Sequence, residues 1–280
     1  MTVAIITDST AYIPKEIREE YNIQMIPLTV TFNGASYQEE VDLTTTDFYE
    51  KVREEKVLPK TSQPAIGLMV DLLEQLKQDY DAVVAIHLSS GISGTYQSMQ
   101  TAGTMVDGLD TYVFDSEVSC MAQGFYVLEA AKLAQKEASP EAILDRLNTV
   151  KQSLRAYFVV DDLNHLHRGG RLNGAQALVG SVLQVKPILH FSETKIVPFE
   201  KIRTQKKAFK RLIELIDEDA STGAPIRATV IHANCPETAE QLMRELKERY
   251  TNVELTLSYF GPVIGTHLGE GSIGLGWYKL

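Results

Sequence analysis

Unbroken runs of apolar, largely β-branched residues recur through the first half of this chain, and each stops abruptly in hydroxyls, glycine or acid. Val3 to Ile6 ends at Thr7-Asp8-Ser9-Thr10, Ala82 to Ile86 leads to Leu88-Ser89-Ser90-Gly91-Ile92-Ser93-Gly94-Thr95, and Thr111 to Phe114 ends at Asp115-Ser116-Glu117. A strand without polar alternation is buried on both faces, which implies a parallel sheet covered by helices. The segments between carry helix signals. Pro14 opens Lys15 to Tyr21, Thr44 to Asp47 caps a charged helix to about Glu55, and Pro64 opens Ala65 to Gln78. Tyr96 to Val106, Cys120 to Lys136 and a helix from Ser139-Pro140-Glu141 to about Ser153 follow. Met25 to Phe32 reads as a further strand, with Asn33-Gly34 as a hairpin turn before Ala35.

Such alternation predicts an open parallel sheet with helices on both sides, and these sheets bind ligands at the carboxyl ends of their strands. Asp8-Ser9-Thr10, Ser89 to Thr95 and Asp115-Ser116 would line that edge. The Ser89 to Thr95 loop precedes a helix whose first amides lack intrahelical partners, a ready site for an anion.

The pattern changes after about residue 154, so two domains are expected, 1–153 and 154–280. Ala156 to Val160 is a strand, Asp161 to Gly174 is polar, and Leu172 to Leu183 has helical spacing. Ile188 to Phe191 is expected to pair with Lys195 to Ile202. Helix Thr204 to Asp219, strand Ala228 to His232, helix Pro236 to Tyr250 and strand Val253 to Ser258 complete a mixed sheet with helices on one side.

Composition narrows the functional classes. A chain of 280 residues with 44% hydrophobic and 23% charged residues can build substantial cores. Its net charge of −10 argues against a nucleic-acid partner. Cys120 and Cys235 are distant in sequence, as expected of buried thiols in a reduced cytoplasmic protein. No apolar run reaches membrane length, and the start lacks the basic region of a signal, so stable membrane insertion is not expected.

Familiar catalytic patterns fail. Gly91-Ile92-Ser93-Gly94-Thr95 has Thr95 where a nucleophile elbow needs glycine. Gly269-Glu270-Gly271-Ser272-Ile273-Gly274 has the letters of a dinucleotide fingerprint but no room for the helix and strand that must follow. The histidine spacing does not suggest a metal, and no cofactor is implied. Ser93 reads either as a helix cap or as an anion ligand. Thr61 and Ser62, ahead of Pro64, read in the same two ways. His267 is the titratable ring in the most glycine-dense stretch, where a neutral imidazole can donate to an anion. Arg171 is a solvated loop charge or an anion contact. The basic run Lys201, Arg203, Lys206, Lys207, Lys210, Arg211 is a solvated face or a docking patch for a phosphate-bearing partner.

Taken together, several motifs resemble the DegV family, which includes the lipid-carrier subunits of bacterial fatty acid kinase. They are Ile6-Thr7-Asp8-Ser9-Thr10-Ala11, Lys60-Thr61-Ser62-Gln63-Pro64 and Leu88 to Tyr96. Arg168-Gly169-Gly170-Arg171, Lys186-Pro187-Ile188-Leu189, Lys201-Ile202-Arg203 and the stretch around His267 extend the similarity over the whole chain. The resemblance implies a two-domain α/β fold, a parallel-sheet α/β/α domain plus a mixed-sheet domain, with one long-chain fatty acid held between them. It implies that Thr61, Ser93 and His267 meet the carboxylate, with Ser62 and Gly94 beside them. A separate ATP-dependent kinase subunit would phosphorylate that carboxylate, and the acyl phosphate would feed phospholipid synthesis. Arg171 and Arg203 match arginines expected to contact the kinase or the acyl phosphate. Tyr12-Ile13 departs from the family's acidic-apolar pair, and Glu270 stands where proline is common, placing a carboxylate near the expected head group. Two competing readings are a carrier of another lipid-like acid, and a hydrolase or acyltransferase with Ser93 as nucleophile and His267 as base.

Overall fold

The structure is a computed structural model and describes residues 1–55, 58–172 and 186–280. In chain order its first strands are β1 (Val3–Asp8), β2 (Ile23–Ile26), β3 (Thr29–Phe32), β4 (Ala35–Gln38), β5 (Lys60–Ser62), β6 (Ala82–His87) and β7 (Asp110–Asp115). A parallel sheet runs in the order β2-β1-β6-β7. Strands β1 and β6 are buried along their whole length, as continuous apolar runs require. After α1 (Lys15–Glu20) and α2 (Thr45–Glu55), helices α3 (Ile66–Leu76) and α4 (Thr95–Thr104) cover one face of this sheet. Helices α5 (Cys120–Ala134) and α6 (Pro140–Ser153) cover the other. Ser139 caps α6 by accepting from Ala142 N–H at 3.3 Å, as its sequence predicts.

The single strand expected from Met25 to Phe32 is two strands. Pro27 lacks the amide needed to continue the ladder, so β2 ends at Ile26 and the chain leaves the parallel sheet. Strand β3 instead pairs antiparallel with β4, across the Asn33-Gly34 turn, and with β5. The cap expected of Thr61 and Ser62 is also corrected, while the helix expected from Ala65 is present. Thr61 pairs with Val30 in that small sheet, and α3 begins only at Ile66.

The second half is a mixed sheet of β8 (Arg155–Val159), β9 (Ile188–Ser192), β10 (Lys195–Glu200), β11 (Ile226–His232), β12 (Val253–Tyr259) and β13 (Ile273–Lys279). Its order is β10-β9-β8-β13-β11-β12, with β11 and β12 parallel and the other pairs antiparallel. Three elements were not anticipated from sequence: α7 (Asn164–Gly169), α10 (Pro262–Leu268) and β13. The helical spacing from Leu172 to Leu183 falls, apart from Leu172, outside the described residues. Helices α8 (Gln205–Ala220) and α9 (Pro236–Arg249) cover one face. The opposite face turns toward α5, where the rings of Phe125 and Tyr278 lie 5.2 Å apart. Helices therefore flank this sheet on both sides, because the first half supplies the second layer.

Candidate functional site

Between α5 and the inner face of the six-stranded sheet lies a cavity of about 770 Å³, its open mouth included. Its floor is β8 and β13, where Ala156 and Phe158 pair with Gly276 and Gly274. A Cβ on Gly274 would meet the Phe260 ring at 2.9 Å, so bare backbone is what lets that ring pack there. Helix α5 contributes Cys120 and Ala122, with Ser119 at its N-cap, and α10 contributes Val263, Ile264 and Leu268. Burial pushes the Cys120 thiol well up, so it stays protonated and serves as a small apolar group. Most of the lining is carbon.

Polar side chains gather at one end: Thr61, Ser62, Gln63, Ser93, Arg171 and His267. Thr61 Oγ1 and His267 Nε2 lie 2.8 Å apart. Burial, reinforced by Arg171 and then His165, pulls the His267 imidazole down to about 3, so it is neutral near pH 7. Its Nδ1 is buried without a hydrogen-bond partner among the described residues. That nitrogen faces Gly169, where any Cβ would fall well inside van der Waals distance. The histidine expected in a glycine-rich loop thus sits on a short helix, packed against α7.

Ser93 stands one residue before the N-cap of α4, which is Gly94. Its hydroxyl lies 2.9 Å from Thr95 Oγ1 and accepts from Thr95 N–H at 3.3 Å. Gly94 backs onto Gln63, whose carboxamide occupies the space a side chain would need. Arg171 is half-buried, and burial lowers its pKa. Its guanidinium donates to Gly169 O at 2.7 Å and Ile92 O at 3.3 Å, and no carboxylate among the described residues pairs with it. Arg203 is exposed in the turn between β10 and α8 and does not line the cavity.

The other strand-end motifs hold this end in place without lining it, contrary to expectation. Asp8 Oδ2 accepts from Leu88 N–H at 2.9 Å and lies 3.0 Å from His87 Nδ1. Burial raises Asp8, but bonds to His87, Thr10 and Leu88 outweigh it and keep the carboxyl below its ordinary value. Asp115 accepts from Ser90 N–H at 3.1 Å, and Ser89 donates to Thr194 O at 2.5 Å. The loop carrying Ser93 is thereby tied to two parallel strands and to the β9–β10 turn. Neither aspartate orients His267, and Ser93 is bonded to Thr95, so the geometry of a Ser93–His267 nucleophile and base is not assembled. Glu270 is turned away from the polar end and pairs with Arg53 and, at 2.8 Å, with Asn234. Sequence reasoning missed Gln63 and the carbon-lined remainder, although Gly274-Leu275-Gly276 was a visible sign of close backbone packing. Among the described residues no cluster of His, Cys, Asp and Glu could hold a metal ion. No described helix is long and apolar enough to cross a membrane.

Residues 2–280 match a family model described as "Uncharacterised protein, DegV family". Protein DegV of Bacillus subtilis is 59% identical over 278 residues, 99% of each chain. The crystal structure of DegV from Bacillus subtilis, described as a fatty acid binding protein, superposes with a TM-score of 0.96 at 58% identity and covers all of both chains. A fatty-acid-binding DegV family protein from Thermus thermophilus superposes at 0.93 with 31% identity, again over all of both chains.

Proposed function

This chain belongs to the DegV family, and we propose that it carries one long-chain fatty acid in the cavity between α5 and the six-stranded sheet. One observation carries the reading: a carbon-lined cavity ends where Thr61, Ser93 and a neutral His267 converge. The acyl tail supplies the affinity. Burying about fourteen methylenes is worth on the order of 10 kcal/mol before ordering costs, against about 0.3–2 kcal/mol for an anion near a helix N-terminus. The polar end sets direction. A buried carboxylate needs hydrogen bonds, and the Thr61 and Ser93 hydroxyls, the His267 ring and the backbone beside Ser62 and Gly94 supply donors. Arg171 adds positive charge at the mouth.

A carrier of this kind presents its carboxylate to another protein. We extend the reading to a cytoplasmic, ATP-dependent fatty acid kinase subunit that forms the acyl phosphate for phospholipid synthesis, with Arg171 and exposed Arg203 facing that partner. The division into residues 1–153 and 154–280, with the ligand between, is part of the same proposal. Titration with a fluorescent long-chain fatty acid tests it. Saturable binding at one site per chain, displaced by unlabelled fatty acids, is expected; no saturable binding by folded, delipidated protein would rule the reading out.

A further inference from the structure

Helix α10 belongs by sequence to the second half, yet its first turn is bonded to the first half. Glu39 Oε1 accepts from Val263 N–H at 2.7 Å, and the Tyr12 hydroxyl accepts from Ile264 N–H at 3.3 Å. Just before the helix, Tyr49 donates to Phe260 O at 2.8 Å. Glu39 is fully buried. It also receives the Tyr12 hydroxyl at 2.9 Å and the Ser9 hydroxyl at 2.5 Å, and Ser9 in turn accepts from Leu28 N–H at 3.0 Å. Each hydroxyl accepts one backbone N–H and is bonded to the Glu39 carboxyl, which also takes Val263 N–H. Gly261, ahead of α10, lies so close to the Tyr12 ring that a side chain there would collide with it.

Burial pushes the Glu39 carboxyl up to about 8. A group so costly to ionise is retained for its bonds, since an apolar residue of similar size would bury more easily. Those bonds lead to the polar end of the cavity. Val263 and Ile264 lie four and three residues before His267 in α10, so they share its face and line the same cavity. A shift of the first turn therefore moves the imidazole relative to Thr61, which sits on β5.

We propose that Tyr12 and Glu39 are positioning residues: by gripping the first turn of α10 they hold His267 in register with Thr61. Ser9, from the Asp8-Ser9-Thr10 motif, completes the grip, and Tyr12, the departure from the family pattern, has its role here. This assignment rests on the carrier reading, so its test separates the head group from the tail. Tyr12→Phe removes the hydroxyl that accepts from Ile264 N–H, and Glu39→Met, of similar size, removes the acceptor of Val263 N–H and of both hydroxyls. The full-length variants are compared with the unmodified chain for affinity toward a long-chain fatty acid and toward its methyl ester, with melting temperature measured alongside. The unmodified chain is expected to prefer the acid. Each variant should lower that acid-to-ester preference by about five-fold, with ester affinity held within about two-fold. Equal losses for acid and ester, or an unchanged preference in both variants, would overturn the positioning role while leaving the carrier reading intact. No preference in the unmodified chain would overturn the reading and this inference together.

Discussion

Thr61 and His267 stand 206 residues apart in sequence and share a hydrogen bond of 2.8 Å. One side chain comes from a three-residue strand in the first half, the other from a seven-residue helix near the C-terminus. Neither element would be stable alone. The polar end of the cavity exists only when the two halves are docked. Thr61→Val preserves shape and removes the bond, leaving His267 with both nitrogens unpartnered. A stability loss of about 1 kcal/mol in urea melts is expected, with a larger effect on fatty acid affinity than on that of the methyl ester.

Gly169 sets the other side of the imidazole. A methyl group there meets Nδ1 of His267, so Gly169→Ala must displace the ring or α7. Such overpacking is expected to destabilise the fold by about 1–3 kcal/mol and to weaken fatty acid binding. Alanine at Gly170, which has open space around it but a φ of +68°, serves as the comparison. It should strain the backbone and leave the acid-to-ester preference unchanged.

The pH dependence of stability reports on His267. Its folded value of about 3 lies below the unfolded value near 6.5, so between these limits the unfolded chain binds the extra proton. This group's contribution is fully present above about pH 6.5 and is lost as pH falls toward 3. His267→Gln cannot titrate. The difference in unfolding free energy between the unmodified chain and this variant should therefore rise from acid to neutral pH and then level off. A difference that stays flat over that range would show the ring to be solvated.

Glu270 is expected to be a bystander to binding. Its carboxylate is engaged by Arg53 and Asn234, so Glu270→Ala should leave fatty acid affinity within about two-fold. A marked gain in affinity would mean that its charge reaches the head group.

Elements whose residues carry their own instructions were legible in the sequence. The run Ala82 to His87 is a strand because nothing polar interrupts it, and α6 begins where Ser139-Pro140 says it must. The parallel sheet and its Ser89 to Thr95 loop followed from the same local signals. What escaped is nonlocal. Strand β5 is held by pairing with β3, and before that pairing is known Thr61 and Ser62 look like caps of the helix that follows Pro64. Glycine weakens local preference in α10 and β13, where packing against Tyr12, Tyr49 and Phe260 decides the conformation. The grip of Glu39 on Val263 spans 224 residues and leaves no periodicity to find. The chemistry of His267 is legible in its glycine-rich setting, while its helix and its bond to Thr61 exist only in the fold.

Whether the cavity holds a fatty acid is answered by the contents of the purified protein. Solvent extraction of the folded chain followed by mass spectrometry should recover a long-chain fatty acid at close to one molecule per chain, reduced in a Thr61→Val/His267→Gln double variant. Protein that is pure, folded and repeatedly free of fatty acid, and that takes none up when one is supplied, would contradict the carrier reading.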